Sequence, residues 1–260
     1  MFPLQVVKLI RLTFFIIKLH LSAALQYRAN FILQVLSMFI NDAALTIIWI
    51  IFFKQFPSIN GWTFNDTALL LGIAWASFFI VNFFFAGVFY INEIIITGNL
   101  DQFLLLPKPL IWQIATSKSE YIEIGSFIVS LYLLYSSEYV TIANLPLLIL
   151  LLIISAIIDF NFLLIIGTLS FYFGNLAYAK EKLIQTLFDL IYFPQTAFTG
   201  IIRFIMIFIL PVFFLATIPM QLIKEFNLIW FFILISFTIV QTIFAFWFFN
   251  KGLQKYESGI

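Results

Sequence analysis

The 260-residue chain contains no cysteine and a single histidine, His20. Disulfides, thiolate metal sites and cysteine nucleophiles are therefore excluded, although the absence of cysteine says nothing about redox compartment. One histidine is too few for a zinc protease site, and its place in an amphipathic segment argues against a triad or a haem site. No Gly-Lys dipeptide occurs, so the phosphate-binding pattern G-x-x-x-x-G-K-[ST] is absent and ATP cannot be held that way. Charge is scarce as well: 10% of residues are charged, against about 25% in a soluble globular domain. The net charge of +1 offers nothing to a nucleic acid or an acidic partner. No polar stretch is long enough to fold alone. The N-terminus does not read as a signal peptide, because Lys8, Arg11 and Lys18 are spread through its apolar residues with no small-residue cleavage site behind them.

What remains is apolar. Hydrophobic residues make up 63% of the chain and the mean hydropathy is +1.11. Such a chain must be solvated by lipid. Lipid offers nothing to a backbone N–H or C=O, so the spanning segments must be helices. The 36 phenylalanines and abundant isoleucines read as lipid-facing filler. The expected architecture is all-α and integral to the membrane, one compact domain over residues 29–260 preceded by an interfacial segment over 1–28.

A span needs about 20 mostly apolar residues. Six stretches qualify: Phe31–Phe53, Ala68–Ile91, Ile111–Val140, Leu145–Phe173, Ile201–Met220 and Leu228–Phe249. The third is the weakest, since Lys118, Glu120 and Glu123 interrupt its first half. Ahead of the first, Lys8, Arg11, Lys18 and Ser22 share one helical face, and Leu9, Leu12, Ile16 and Leu19 form an adjoining apolar sector. That is an amphipathic helix for the headgroup layer. With six spans and the N-terminus inside, the inner side holds Lys8, Arg11, Lys18, Arg28, Lys108, Lys118, Lys180, Lys182, Lys251 and Lys255. The outer side holds Lys54 and Lys224, and Arg203 starts the fifth span near the inner side. This asymmetry places both termini in the cytoplasm, with long inner connections at Asn92–Leu110 and Gly174–Gly200. No internal repeat is visible, which leaves an inverted-repeat transporter without support.

Few polar residues interrupt the spans. A carboxylate in mid-bilayer is costly and marks a functional site by default, so Asp159, with Asn161 close by, is the leading intramembrane candidate. Glu120 and Glu123 give the third span a polar inner half that lines a cavity or rests in the interface. Pro211 and Pro219 should break the outer half of the fifth span. No polar reaction centre or metal-ligand cluster emerges, which argues against an intramembrane enzyme. The inner loop after the second span is more informative. Glu93 is followed by Gly98-Asn99-Leu100-Asp101, which stops one helix and caps the next, then by a short apolar helix ending in Pro107-Lys108-Pro109. Leu100, Phe103 and Leu104 have the spacing to share one face. A short apolar helix on the inner face reads as a docking piece for another protein, or as a helix resting on lipid.

Gly98-Asn-Leu-Asp101 followed by Leu104-Leu105 and Pro107 resembles the loop of the ABC-2 membrane family, permease subunits of one class of ATP-binding-cassette transporter. Tyr27-Arg28, Gly61-Trp-Thr-Phe64, Phe193-Pro194, Phe198-Thr-Gly200, Arg203-Phe204, Leu210-Pro211-Val212, Ala216, Pro219 and the ending Gly252-Leu-Gln-Lys-Tyr256-Glu-Ser258-Gly259 extend that resemblance along the chain. The resemblance implies a subunit that pairs with a second permease, a copy or a homologue, above two ATPase subunits that bind ATP and magnesium. It implies that the N-terminal helix, with Lys8 and Arg11, and the loop from Gly98 to Leu104 contact the ATPase. Export is the expected direction, and the substrate stays open among lipids, peptides, sugars and drugs. The rival reading is a structural or assembly membrane protein without transport.

Overall fold

A computed structural model describes residues 2–59, 61–191, 193 and 198–257. Among these the chain is helical throughout, without strands. The N-terminal helix α1 (Phe2–Ala24) passes through a 3-10 turn at Leu25–Tyr27 into α2 (Arg28–Gln55). Ile59 and Trp62 exchange backbone hydrogen bonds around Gly61 before α3 (Phe64–Phe85); Asn60 of that turn lies outside the described residues. A 3-10 stretch, Ala86–Tyr90, leads into α4 (Ile91–Ile96), the short α5 (Leu100–Leu104) and α6 (Leu110–Ala115). Then come α7 (Ile124–Ser136), α8 (Leu145–Thr168), α9 (Ser170–Phe173) and α10 (Ala177–Ile191). The chain closes with α11 (Gly200–Phe208), α12 (Ile218–Lys224) and α13 (Leu228–Leu253).

The core is α3. Every residue from Asp66 to Phe78 is buried, as expected of a helix that is apolar all round. It lies between α7 and α8, with α2 flanking α7 and α13 flanking α8. The outer helices α2 and α13 are mostly exposed and apolar, which suits contact with lipid. Four stretches are long and apolar enough to cross a membrane: Arg11–Gln55, Phe64–Ile96, Ile142–Phe173 and Leu228–Leu253. Tyr121–Ser136 and Phe213–Lys224 are shorter apolar helices.

Six uninterrupted spans are thus not found, and two expected ones need correction. The third, Ile111–Val140, is broken between Ala115 and Tyr121, and only Ile124–Ser136 is continuous α-helix after the break. Ser117 to Glu120 supply polar side chains that close the turn locally, with Ser117 Oγ donating to the Ile114 carbonyl at 2.7 Å. The fifth, Ile201–Met220, is two pieces. Helix α11 stops at Phe208, and Pro211, which lacks an N–H, follows the break. A π-helical turn at Phe213–Thr217 then leads into α12, where Pro219 sits in the first turn. Proline cannot donate to the carbonyl four residues back, and widening the preceding turn to π accommodates this.

The helix that runs beside α3 instead is α10, which the sequence places in a connecting loop. At its start Lys180 Nζ donates to the Phe89 carbonyl at 2.6 Å. In its last turn, Phe188 meets Phe78 edge-on at 4.3 Å between ring centroids. Beyond its end, Phe193 packs against Trp49 on the last turns of α2. The direction is therefore opposite to that of α3. Hydropathy hid this helix because Lys180, Glu181, Lys182 and Asp189 dilute it, although Ile184, Leu187 and Ile191 form a buried stripe. Residues 200–224 then form a hairpin. Phe214 stacks on Phe237 at 3.7 Å, nine residues into α13, or about 14 Å along that helix. Lys224 returns to the level of Asp66.

Gly125 sets the separation of α2 and α7. A Cβ there would meet the backbone carbonyl of Val35 and lie 2.6 Å from the Phe39 nitrogen. Gly125→Ala must push two backbones apart, and overpacking of this kind costs about 1–3 kcal/mol. Gly61→Ala meets no atom and carries only left-handed strain, about 1 kcal/mol. Thermal unfolding in detergent should show the larger loss for Gly125→Ala; equal losses would refute this account of the contact.

Candidate functional site

Three groups of polar residues stand out, at the two ends of the bundle and in its middle. One end carries α1 and the last turn of α13 and is called the terminal end; the other, at Gln55, Phe64 and Lys224, is the far end.

At the terminal end, α4 gives way to the loop before α6. Gly98 takes φ +73° and turns the chain. Asn99 Nδ2 donates to Thr97 Oγ1 at 2.8 Å, and the Asp101 amide donates to the Gly98 carbonyl at 3.2 Å. Leu100 is fully buried and Phe103 packs half-buried on the core. Leu100, Phe103 and Leu104 therefore do not form a common outward face. The first two hold α5 to the membrane domain, and the outward apolar residues are Leu104, Leu105 and Leu106, with Leu105 85% exposed. Gln113 Nε2 pins the returning strand of the loop by donating to the Lys108 carbonyl at 2.7 Å. Tyr256 faces Asp101, and burial together with that carboxylate pushes its phenol up from the usual range.

Helix α1 lies against the same end. Tyr121 Oη donates to the Ile17 carbonyl at 2.9 Å, and His20 Nδ1 is 3.3 Å from Ser119 Oγ. Leu9 shares a cavity wall with Pro109 and Leu110. Arg11 is exposed; the Lys8 side chain lies outside the described residues. Glu120 accepts a hydrogen bond from the Tyr90 hydroxyl, and its amide donates to the Asn82 carbonyl at 2.9 Å. Lys118 sits 3.6 Å from Glu93 and 3.4 Å over the Tyr90 ring.

In the middle, Glu123 lies within electrostatic reach of Asp42, Glu120 and Asp159. Asp42 on α2, Glu123 just before α7 and Asp159 on α8 sit on elements packed in the bundle with α3. Asp42 is one the sequence reading passed over, although it follows Asn41 inside an apolar run, the same signal that singles out Asp159. Asp159 and Asn161 diverge: Asn161 Nδ2 reaches across to Thr242 Oγ1 on α13 at 2.7 Å. Among the described residues no group of three or more His, Cys, Asp or Glu side chains could hold a metal ion.

At the far end Asp66 ties three elements together. It caps α3 by accepting from the Thr63 amide at 2.8 Å. It also pairs with Lys224 and accepts from the Tyr139 hydroxyl at 3.1 Å. Asp66 is buried while Lys224 is about one-third exposed. Lys224→Met strands a buried carboxylate and should cost about 2 kcal/mol, below the range for fully buried pairs because three other donors remain. Asp66→Asn leaves a lysine that can reach water, and should cost about 1 kcal/mol. Unfolding midpoints should rank wild type, then Asp66→Asn, then Lys224→Met; the reverse order would contradict this assignment.

A family model described as ABC-2 family transporter protein matches residues 39–259. No curated protein and no solved structure matches the chain.

Proposed function

Because the chain belongs to the ABC-2 transporter family, we propose that it is the membrane-spanning permease of an ATP-driven exporter. A second permease subunit completes the pathway, and separate ATPase chains supply the energy. In this reading the terminal end faces the cytoplasm. The crossings are α2, α3, α6 with α7, α8, α10 and α13, and the 200–224 hairpin enters from outside. Arg203 then joins Lys54 and Lys224 on the outer side, and the inner excess of cations persists.

The observation that carries the reading is the loop of residues 97–110. It is held by the buried Leu100, by Phe103 packed on the core and by the Gln113 hydrogen bond, yet it presents Leu104, Leu105 and Leu106 outward at the end where α1 lies. A clamped loop with an apolar tip can transmit a push; a loose one cannot. Docking of such a tip in an ATPase groove follows the helix-in-groove mode. The carboxylates Asp42, Glu123 and Asp159, with Glu120 at their cytoplasmic edge, are where a polar substrate would meet this subunit.

Truncating a buried anchor at an interface costs about 2 kcal/mol or more, roughly thirtyfold in affinity. The variant Leu104→Ser, Leu105→Ser, Leu106→Ser should lose the ATPase on co-purification and abolish coupled ATP hydrolysis, while inserting and melting like wild type. Retention of both the ATPase and transport would refute the coupling role. Leu100→Ala, by contrast, should lower the stability of the permease itself by about 2–5 kcal/mol.

A further inference from the structure

Asn161 and Trp112 belong to a cavity that the transport reading leaves unused. It measures about 670 Å³, within the range of about 300–1,000 Å³ typical of small-molecule sites. Its walls come from α3, α6, α8 and α13, with Leu9 of α1 at the terminal end. No charged side chain lines it. Two buried polar atoms in residues of the wall have no partner: Asn161 Oδ1, an acceptor, and Trp112 Nε1, a donor. Buried groups left this way are costly unless something satisfies them. At the rim Ile153, Ile157 and Phe246 are exposed, and so are Pro109 and Asn250 toward the terminal end. The cavity therefore opens sideways onto the same apolar surface of α8 and α13 that suits lipid.

We propose that this cavity binds a long-chain amphiphile carrying a neutral hydrogen-bonding group, a hydroxyl or an amide, that enters from the bilayer. The apolar wall takes the chain, and Asn161 and Trp112 offer the polar group an acceptor and a donor. A charged headgroup would find no counterion in the wall. A peptide segment would bring many more backbone groups than the polar atoms of Trp112, Asn161, Thr242 and Asn250 can satisfy. The inference rests on membrane placement of the apolar helices and not on coupling to an ATPase.

The test uses the full chain in lipid nanodiscs with two probes, a hexadecanol and a hexadecane, each carrying a mid-chain diazirine. Photolabelling by the alcohol should concentrate on α6, α8 and α13 and be displaced by unlabelled hexadecanol. Ile157→Trp, at the exposed rim, should block labelling by both probes. Asn161→Leu should weaken the alcohol about fivefold, the worth of one neutral hydrogen bond, and leave the alkane unchanged. Labelling spread evenly over all lipid-facing helices, indifferent to both variants, would overturn the proposal. So would cross-links between two copies of the chain through Ile153 and Phe246, which would make this rim a subunit interface.

Discussion

A bilayer interior offers no hydrogen bond to a backbone group, and the architecture follows from that. Each long apolar stretch becomes a helix, and three helix starts near the far face are capped by polar residues. Thr63 with Asp66, Thr141 with Asn144, and Asn227 supply those caps. Where a helix must break inside the bundle, the break lies against protein. The turn after α6 is closed by Ser117 and by the Glu120 amide reaching the Asn82 carbonyl. At the tip of the hairpin Leu210, Pro211 and Val212 are buried, and the Leu210 amide is satisfied by the Ile205 carbonyl at 2.8 Å.

The same constraint sorts the side chains. Lysines collect at helix ends, where their heads reach water or a carbonyl, as Lys180 does at Phe89. Three carboxylates stay inside, Asp42 on α2, Glu123 in the turn before α7 and Asp159 on α8, and Glu123 lies within electrostatic reach of the other two. Close helix contacts at glycine, such as Gly125 against α2, bring the backbones of α2 and α7 together. Packing between small residues is what holds helices together once water no longer drives association. A loop packed on the bundle at the terminal end and a proline-broken hairpin at the far end suit the proposed subunit, pushed from one face and opening at the other.

The helical class, the membrane placement of the long apolar runs and the family were legible in the sequence, because composition and the order of the loop motifs carry them. The course of the chain after residue 174 was not. A window average sees the apolar content of Ile201–Met220 and misses that Pro211 turns it back. It also sees Lys180, Glu181 and Lys182 and misses the stripe Ile184, Leu187, Ile191 that pulls α10 alongside α3. Spacing suggested that Leu100 and Leu104 share a face, but a helix of five residues has no independent face, and burial turned Leu100 inward. Asp42 was readable on the same ground as Asp159. Its gathering with Glu123 was not, since that depends on the contact between α2 and α7.

The proposed six crossings depend on how the chain runs from α10 to α12. A chain without cysteine allows single cysteines to be placed and labelled with a membrane-impermeant maleimide without background. Lys182→Cys and Lys108→Cys should react only after cells are permeabilised, and Lys54→Cys, Thr199→Cys and Lys224→Cys should react on intact cells. Thr199→Cys decides the matter, because it separates a crossing by α10 from a crossing by residues 201–220. Labelling of Thr199→Cys only after permeabilisation would contradict the path described.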